Sequence, residues 1–207
     1  QLVQSVACGL HQAGLQRGEH LIVVGANRPR LYATMLAAQS LGAIPVPLYQ
    51  DADAAECVFP ITNAEVRFCV VEDQEQVDKM LEVREQCPQL THIIYDNPRG
   101  LRKYTEDGLS SLEELIAAGG VFAKQHPQFF KEEVEKSAYT DVAAMFFTWS
   151  TERSKLGTSS MAALIGSDAS NSWTITLRFI LSAGPHVRCL ALTSIRQART
   201  NQLRWLV

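Results

Sequence analysis

The residues that could do chemistry in this sequence are a glycine turn backed by two arginines, five histidines and five cysteines. Gly25-Ala26-Asn27 follows an apolar run and leads into Arg28-Pro29-Arg30. Such a turn before a helix can offer backbone N–H groups and positive charge to an anion. No G-x-G-x-x-G accompanies it, so Gly25 reads first as a turn residue, and Arg28 and Arg30 as surface charges capping that turn. His11, His20, His92, His126 and His186 show no pair at metal-ligand spacing, and no cysteine or carboxylate pattern partners them. Cys8, Cys57, Cys69, Cys87 and Cys189 are odd in number, widely spaced and without a C-x-x-C pair, which reads as reduced thiols. Cys69, inside an apolar run, is expected to pack rather than react. No G-x-S-x-G elbow is present, which disfavours a Ser-His-Asp hydrolase.

The elements that must position these residues alternate. Leu2 to Leu15 has helical spacing, and Leu21 to Val24 reads as a strand covered on both faces. Leu31 to Leu41 is the next helix, with Gly42 as its stop. Ile44 to Leu48 is a strand carrying Pro45 and Pro47, which cannot donate to a ladder, so it is short, irregular or at an edge. A helix over Asp51 to Ile61, a strand over Val66 to Val71, a helix over Gln74 to Gln86 and a strand over His92 to Tyr95 continue the pattern. Ser110 or Ser111 can cap a helix from Leu112 to Ala118. The run Lys131 to Lys136 reads as a solvated charged segment, and Val142 to Thr148 as the last recognisable element. This β-α-β alternation predicts an α/β fold: a largely parallel sheet with flanking helices.

Composition sets further bounds. The 207 residues are 46% apolar and 20% charged, enough for a globular core, and the net charge of −3 gives no reason to expect nucleic acid or an anionic membrane as a partner. No apolar run reaches the length of a membrane span. The chain opens on Gln1 within helical spacing and is expected to be a fragment. A break falls near residue 150. From Thr151 onward there are 2 acidic and 7 basic residues, six of them Arg, against 20 acidic and 12 basic before it. The expected division is 1–148 as a partial domain and 149–207 as a poorly patterned tail, frameshifted or disordered.

Gly18-Glu19-His20-Leu21-Ile22-Val23-Val24-Gly25-Ala26-Asn27-Arg28-Pro29 and Ser40-Leu41-Gly42-Ala43-Ile44-Pro45-Val46-Pro47-Leu48-Tyr49 carry a resemblance. Asn63-Ala64-Glu65-Val66-Arg67-Phe68, Val70-Val71-Glu72-Asp73 and Asp141-Val142-Ala143-Ala144 before Phe147-Thr148 extend it. Together they resemble the N-terminal part of the AMP-forming acyl-CoA synthetases, most of all the bacterial long-chain fatty acid–CoA ligases. The resemblance covers about 1–148 and implies the N-terminal, AMP-binding subdomain of the adenylate-forming fold.

The resemblance implies a ligase that joins a fatty acid to ATP as acyl-AMP and passes the acyl group to coenzyme A, with Mg²⁺. The partners it implies are fatty acid, ATP and coenzyme A, and the place a cytoplasmic one, with the parent enzyme able to sit peripherally on membrane. It also implies a phosphate loop, T-S-G-T-T-G-x-P-K-G. Here Thr148-Trp149-Ser150-Thr151-Glu152-Arg153-Ser154-Lys155-Leu156-Gly157 stands in its place. Thr148, Ser150, Thr151, Lys155 and Gly157 are the remnant that could contact phosphates. Trp149 is bulky where a small residue is required, Glu152 adds an anion beside a polyanion, and two glycines are gone. The fragment is therefore expected to be inactive and to bind no cofactor. Ser159-Ser160-Met161 is what the family's V-V-H gives when its codons are read one base late. Two other readings remain: a non-enzymatic binding module that buries Trp173, Ile175, Leu177, Phe179 and Ile180 against the sheet, and a divergent ATP-binding enzyme with a rebuilt loop.

Overall fold

The computed structural model describes residues 1–138, 140–148, 173–180, 190–199 and 202–206. Helix α1 (Leu2–Gln12) precedes β1 (His20–Val24), α2 (Pro29–Ser40), β2 (Ile44–Leu48), α3 (Ala54–Asn63), β3 (Phe68–Val71), α4 (Gln74–Arg84) and β4 (His92–Tyr95). After a 3-10 turn at Leu101–Lys103 come β5 (Leu109–Ser111), α5 (Leu112–Gln125), α6 (Phe129–Glu135) and β6 (Ala144–Thr148). Strands β7 (Trp173–Ile180), β8 (Leu190–Arg199) and β9 (Gln202–Leu206) follow. The first five strands form a parallel sheet in the order β2-β1-β3-β4-β5, so the chain steps one way from β1 and then back past it to β3.

Residue alternation along β1 builds two cores. Leu21 and Val23 face one side, where they meet Val6 and Leu10 of α1, Leu31, Ala37 and Ala38 of α2, and Leu112 and Leu115 of α5. Ile22 and Val24 face the other, against Cys57 and Ile61 of α3 and Val77, Met80 and Val83 of α4. The change of direction at β1 explains this split: crossovers of one hand put helices on opposite faces when strand order reverses. With both faces covered, a strand must be apolar at every position, which is why Leu21-Ile22-Val23-Val24 shows no alternation of polarity.

Local signals set the boundaries. Pro29 opens α2 at its first turn, where a missing N–H costs nothing, and Gly42 with φ of 70° lets the chain leave it. Asp53 and Glu56 form a capping box for α3, Asp73 accepts from Gln76 N at the start of α4, and Ser111 with Glu114 caps α5. Strand β2 is indeed an edge of its sheet, as its prolines require.

Three features depart from the sequence expectation. Strand β5 is only three residues long and partly exposed, too short to show a period. Helix α5 runs to Gln125 rather than Ala118, carrying Gly119 and Gly120 inside it. Those glycines bring α5 against α1: a Cβ on Gly119 would collide with Ser5 O and Gly9 N, and one on Gly9 with Leu115. The Lys131 to Lys136 segment is part of a short helix, α6, whose Phe129 and Phe130 pack on the α1/α2 core. In the tail, β7 pairs antiparallel with β6, β8 with β7 and β9 with β8, giving a second sheet. Trp173, Ile175, Leu177 and Phe179 alternate with Thr174, Thr176 and Arg178, the period-two signal that was available there.

Gly119→Ala is expected to destabilise the chain by about 1–3 kcal/mol, the usual cost of overpacking, although alanine is the better helix former. A urea denaturation midpoint equal to or above that of the parent chain would show that α1 and α5 do not approach as closely as described.

Candidate functional site

At the carboxyl ends of β1 and β2 lies an open cavity of about 650 Å³. Open α/β sheets bind ligands at this edge, and the volume is in the range of small-molecule sites. Val23, Leu31, Met35, Pro47, Leu48 and Phe146 supply apolar walls; Asn27, Tyr32, Gln50 and Asp51 supply polar groups. The Gly25–Asn27 turn, which the sequence singled out, forms one side of it. Gly25 adopts φ of 153° and a Cβ there would strike Glu72 and Leu31, so only glycine fits.

The two arginines are not waiting for a ligand. Arg28 Nε bonds Glu72 Oε1 at 2.7 Å, and the other oxygen of Glu72 accepts from Ala26 N at 2.6 Å. Glu72 thus occupies the crevice between β1 and β3, where doubly wound folds place an anion. Arg30 lies 2.9 Å from Asp96 Oδ1, at an angle that leaves both atoms without a hydrogen bond, and donates to Glu113 at 2.8 Å. The turn-capping reading of Arg28 and Arg30 is the one the geometry supports.

Burial pushes the Glu72 carboxyl up, but the Ala26 N–H and the Arg28 guanidinium together outweigh it and hold it below its ordinary 4.5. Burial pushes Asp96 above its usual value; Arg30 opposes that, while Glu72 and Glu113 add to it. The histidines are structural where described. His92 stacks on Phe68 at 4.3 Å, and burial with Arg67 and Arg84 nearby lowers its pKa. His11 packs against Phe122 and Phe129. Cys8, Cys57, Cys69 and Cys87 are all buried and free; burial pushes Cys57 up to about 11 and holds Cys69 well above its ordinary value.

Strand β6 carries the only nominated phosphate-loop residue that falls among the described ones. Thr148 ends it, in register with Trp173 of β7. Ser150, Thr151, Lys155 and Gly157 lie outside the described residues. What positions β6 is clear: Gln39 of α2 donates to Ala143 O at 2.7 Å, and Phe147 is buried edge-on to Phe59 of α3. Arg17 ties the stretch before β6 to the turn ahead of β1, through Glu133 at 3.4 Å and Asp141 at 3.6 Å. Phe146 lines the cavity, so the strand that leads into the nominated loop forms part of its wall. Among the described residues no three His, Cys, Asp or Glu side chains come together to hold a metal ion.

A family model described as AMP-binding enzyme matches residues 1–152. The chain belongs to the AMP-binding enzyme family. Among relatives of this chain, the long-chain-fatty-acid–CoA ligase ACSBG2 of Xenopus laevis is 32% identical over 88 residues, which is 42% of this chain and 12% of that protein. The long-chain-fatty-acid–CoA ligase FadD15 of Mycobacterium bovis is 23% identical over 111 residues, 52% of this chain and 18% of that one. The solved anthranilate CoA ligase AuaEII, in complex with anthranoyl-AMP, superposes with a TM-score of 0.62 at 17% identity, covering 85% of this chain and 28% of that one. The N-terminal domain of FACL13 from Mycobacterium tuberculosis gives 0.54 at 17%, covering 72% and 33%. At such identities the structural likeness establishes the fold. The chain spans less than a fifth of the length of these curated relatives. Among the described residues no helix is long and apolar enough to cross a membrane.

Two outcomes are expected. Glu72→Gln should lower unfolding stability near neutral pH by about 1.5 kcal/mol, the scale of a hydrogen bond to a charged group. Ionised Glu72 stabilises the fold above its unfolded pKa, and that contribution is lost as pH falls through the lower folded value, so the gap should close below about pH 4.5. Urea titrations at several pH values measure it; a gap that persists undiminished into acid would mean the charge is not what holds the turn. Separately, iodoacetamide at mildly alkaline pH should leave Cys8, Cys57, Cys69 and Cys87 unmodified until the chain is denatured, as read by peptide mass spectrometry.

Proposed function

We propose that this chain is a piece of a long-chain fatty acid–CoA ligase, one that activates a fatty acid with ATP to acyl-AMP and transfers the acyl group to coenzyme A. The observation that carries the reading is the family match over 1–152 together with relatives that bear that ligase name. In such an enzyme the segment after β6 would hold the ATP phosphates, with Mg²⁺ neutralising oxygen charge. Residues 1–148 would be the partial adenylation domain and 149–207 an appendage outside it.

The piece itself is inactive in this reading. A phosphate cradle depends on closely approaching backbone amides, and Trp149, Glu152 and the lost glycines oppose that approach. Thr148, Ser150, Thr151, Lys155 and Gly157 are the remnant, and none of them replaces a missing glycine turn. The parent would be cytoplasmic and could associate peripherally with membrane.

A second reading, a non-enzymatic binding module, draws support from the antiparallel pairing of β7 with β6. Limited proteolysis separates the two: rapid cleavage near residue 150 with 1–148 left intact removes the module reading.

With millimolar Mg-ATP the melting temperature is expected to stay where it is without nucleotide, and no acyl-AMP should form from palmitate. A rise of several degrees would favour a divergent ATP-binding enzyme instead. Sequencing the coding DNA beyond the Thr148 codon is expected to recover T-S-G-T-T-G-x-P-K-G in another frame. A single open frame ending at Val207 with no such loop would overturn the broken-ligase account.

A further inference from the structure

We infer that β6 docks on the parallel sheet and its helices as a separable unit, and that Arg17 is the latch that holds it there. Among the described residues β6 shares no ladder with the parallel sheet; its strand partner is β7 of the second sheet. Side-chain packing attaches it to the rest. Phe147 sits edge-on to Phe59 with ring centroids 5.9 Å apart, Ala144 is buried, Met145 meets the core under α3 and α4, and Phe146 walls the cavity. Apolar burial is non-directional, so it favours contact without fixing where along its length the strand comes to rest. That position is left to the polar ties on the stretch before it.

Two residues supply those ties. Gln39 Nε2 donates to Ala143 O at 2.7 Å. Arg17 spans both ends of the strap that joins α6 to β6. Its Nη2 donates to Glu133 O at 3.0 Å and lies 3.4 Å from Glu133 Oε2, while Nη1 lies 3.6 Å from Asp141 Oδ2. Glu133 O belongs to the last turn of α6, whose carbonyls lack helical partners, and Asp141 also accepts from Ala138 N at 2.9 Å. The foot of the latch is rigid. Arg17 lies in the turn between α1 and β1, where Gly18 N donates to Gly42 O and Ile44 N to Glu19 O, both at 2.8 Å, so the turn is stitched to the start of β2. The side chain then crosses Gly42, where a Cβ would collide with its guanidinium; glycine leaves that path open.

Burial does not hold this stretch, because from residue 131 to 143 none of the described residues is buried. Segments with few buried apolar contacts open locally at less cost than global unfolding. The strap can therefore open together with β6 while the five parallel strands stay folded, and opening carries Phe146 out of the cavity wall. A residue at the amino end of β1 thus governs a cavity at its carboxyl end. In the ligase reading the same tie fixes where the segment after Thr148 begins, which makes Arg17 a positioning residue for it; that consequence rests on the ligase reading, whereas the latch does not.

Hydrogen exchange read by mass spectrometry on the full chain tests this, with peptides over β6 compared against peptides over β4. Arg17→Met keeps the apolar stem and removes the charge. Exchange in β6 is expected to speed up about tenfold, the scale of a hydrogen bond to a charged group, with β4 unchanged. In the parent chain, going from about 20 mM to about 1 M NaCl should speed β6 exchange, since salt screens exposed ion pairs; in Arg17→Met it should change it by less than about twofold. Asp141→Asn, which keeps an acceptor for Ala138 N, should act in the same direction, and the double variant should exchange no faster than Arg17→Met alone. The inference is overturned if β6 exchange is unchanged in Arg17→Met, if β4 speeds up equally, or if the salt effect survives the substitution. No readout involves ATP or an acyl substrate, so a chain that binds neither leaves the latch standing, and a failed latch leaves the ligase reading untouched.

Discussion

Burial of β1 on both faces is the constraint from which the rest of the described fold follows. Four consecutive apolar residues cannot share one side of a sheet, so two cores are needed, one for Leu21 and Val23 and one for Ile22 and Val24. Each core must then be closed by helices, and the reversal of strand order at β1 supplies them to both faces. At roughly 1.5–3 kcal/mol for each fully buried side chain of this size, the strand alone contributes more than any ion pair on the surface could. The glycine contact between α1 and α5 serves the same end, because it lets two helices lie close enough to cover Leu21 and Val23 without a gap.

Electrostatics acts on a smaller scale but decides what the carboxyl edge of the sheet can bind. One partly buried carboxylate, Glu72, engages Ala26 N and Arg28 and so fills the crevice that the topology opens between β1 and β3. The free concavity is displaced by one strand, to the β1/β2 side, where its lining is apolar and acidic. Asp96 sits nearby with the opposite tendency, its burial costing more than Arg30 returns.

How much of this was legible can be argued from particular residues. The β1 strand, the proline-marked strand β2, the cap at Ser110 or Ser111 and the parallel α/β class could be read from the chain, because each depends on neighbours within a few positions. Helix α6 and the extent of α5 could not: Gly119 and Gly120 are poor helix residues in isolation, and only the approach of α1 gives them a purpose.

The sequence by itself determined the fold class, the two-sided burial of the central strand and the resemblance to AMP-forming ligases, since periodicity and motif are properties of contiguous residues. Only the tertiary structure decided what the charged residues do. Arg28 and Glu72 are far apart in the chain, as are Arg30 and Asp96, and Gly25 and Asp51. Whether an arginine awaits an anion or already holds one depends on which carboxylate the strand order delivers beside it, and that order is set by packing across the whole sheet rather than by any local stretch.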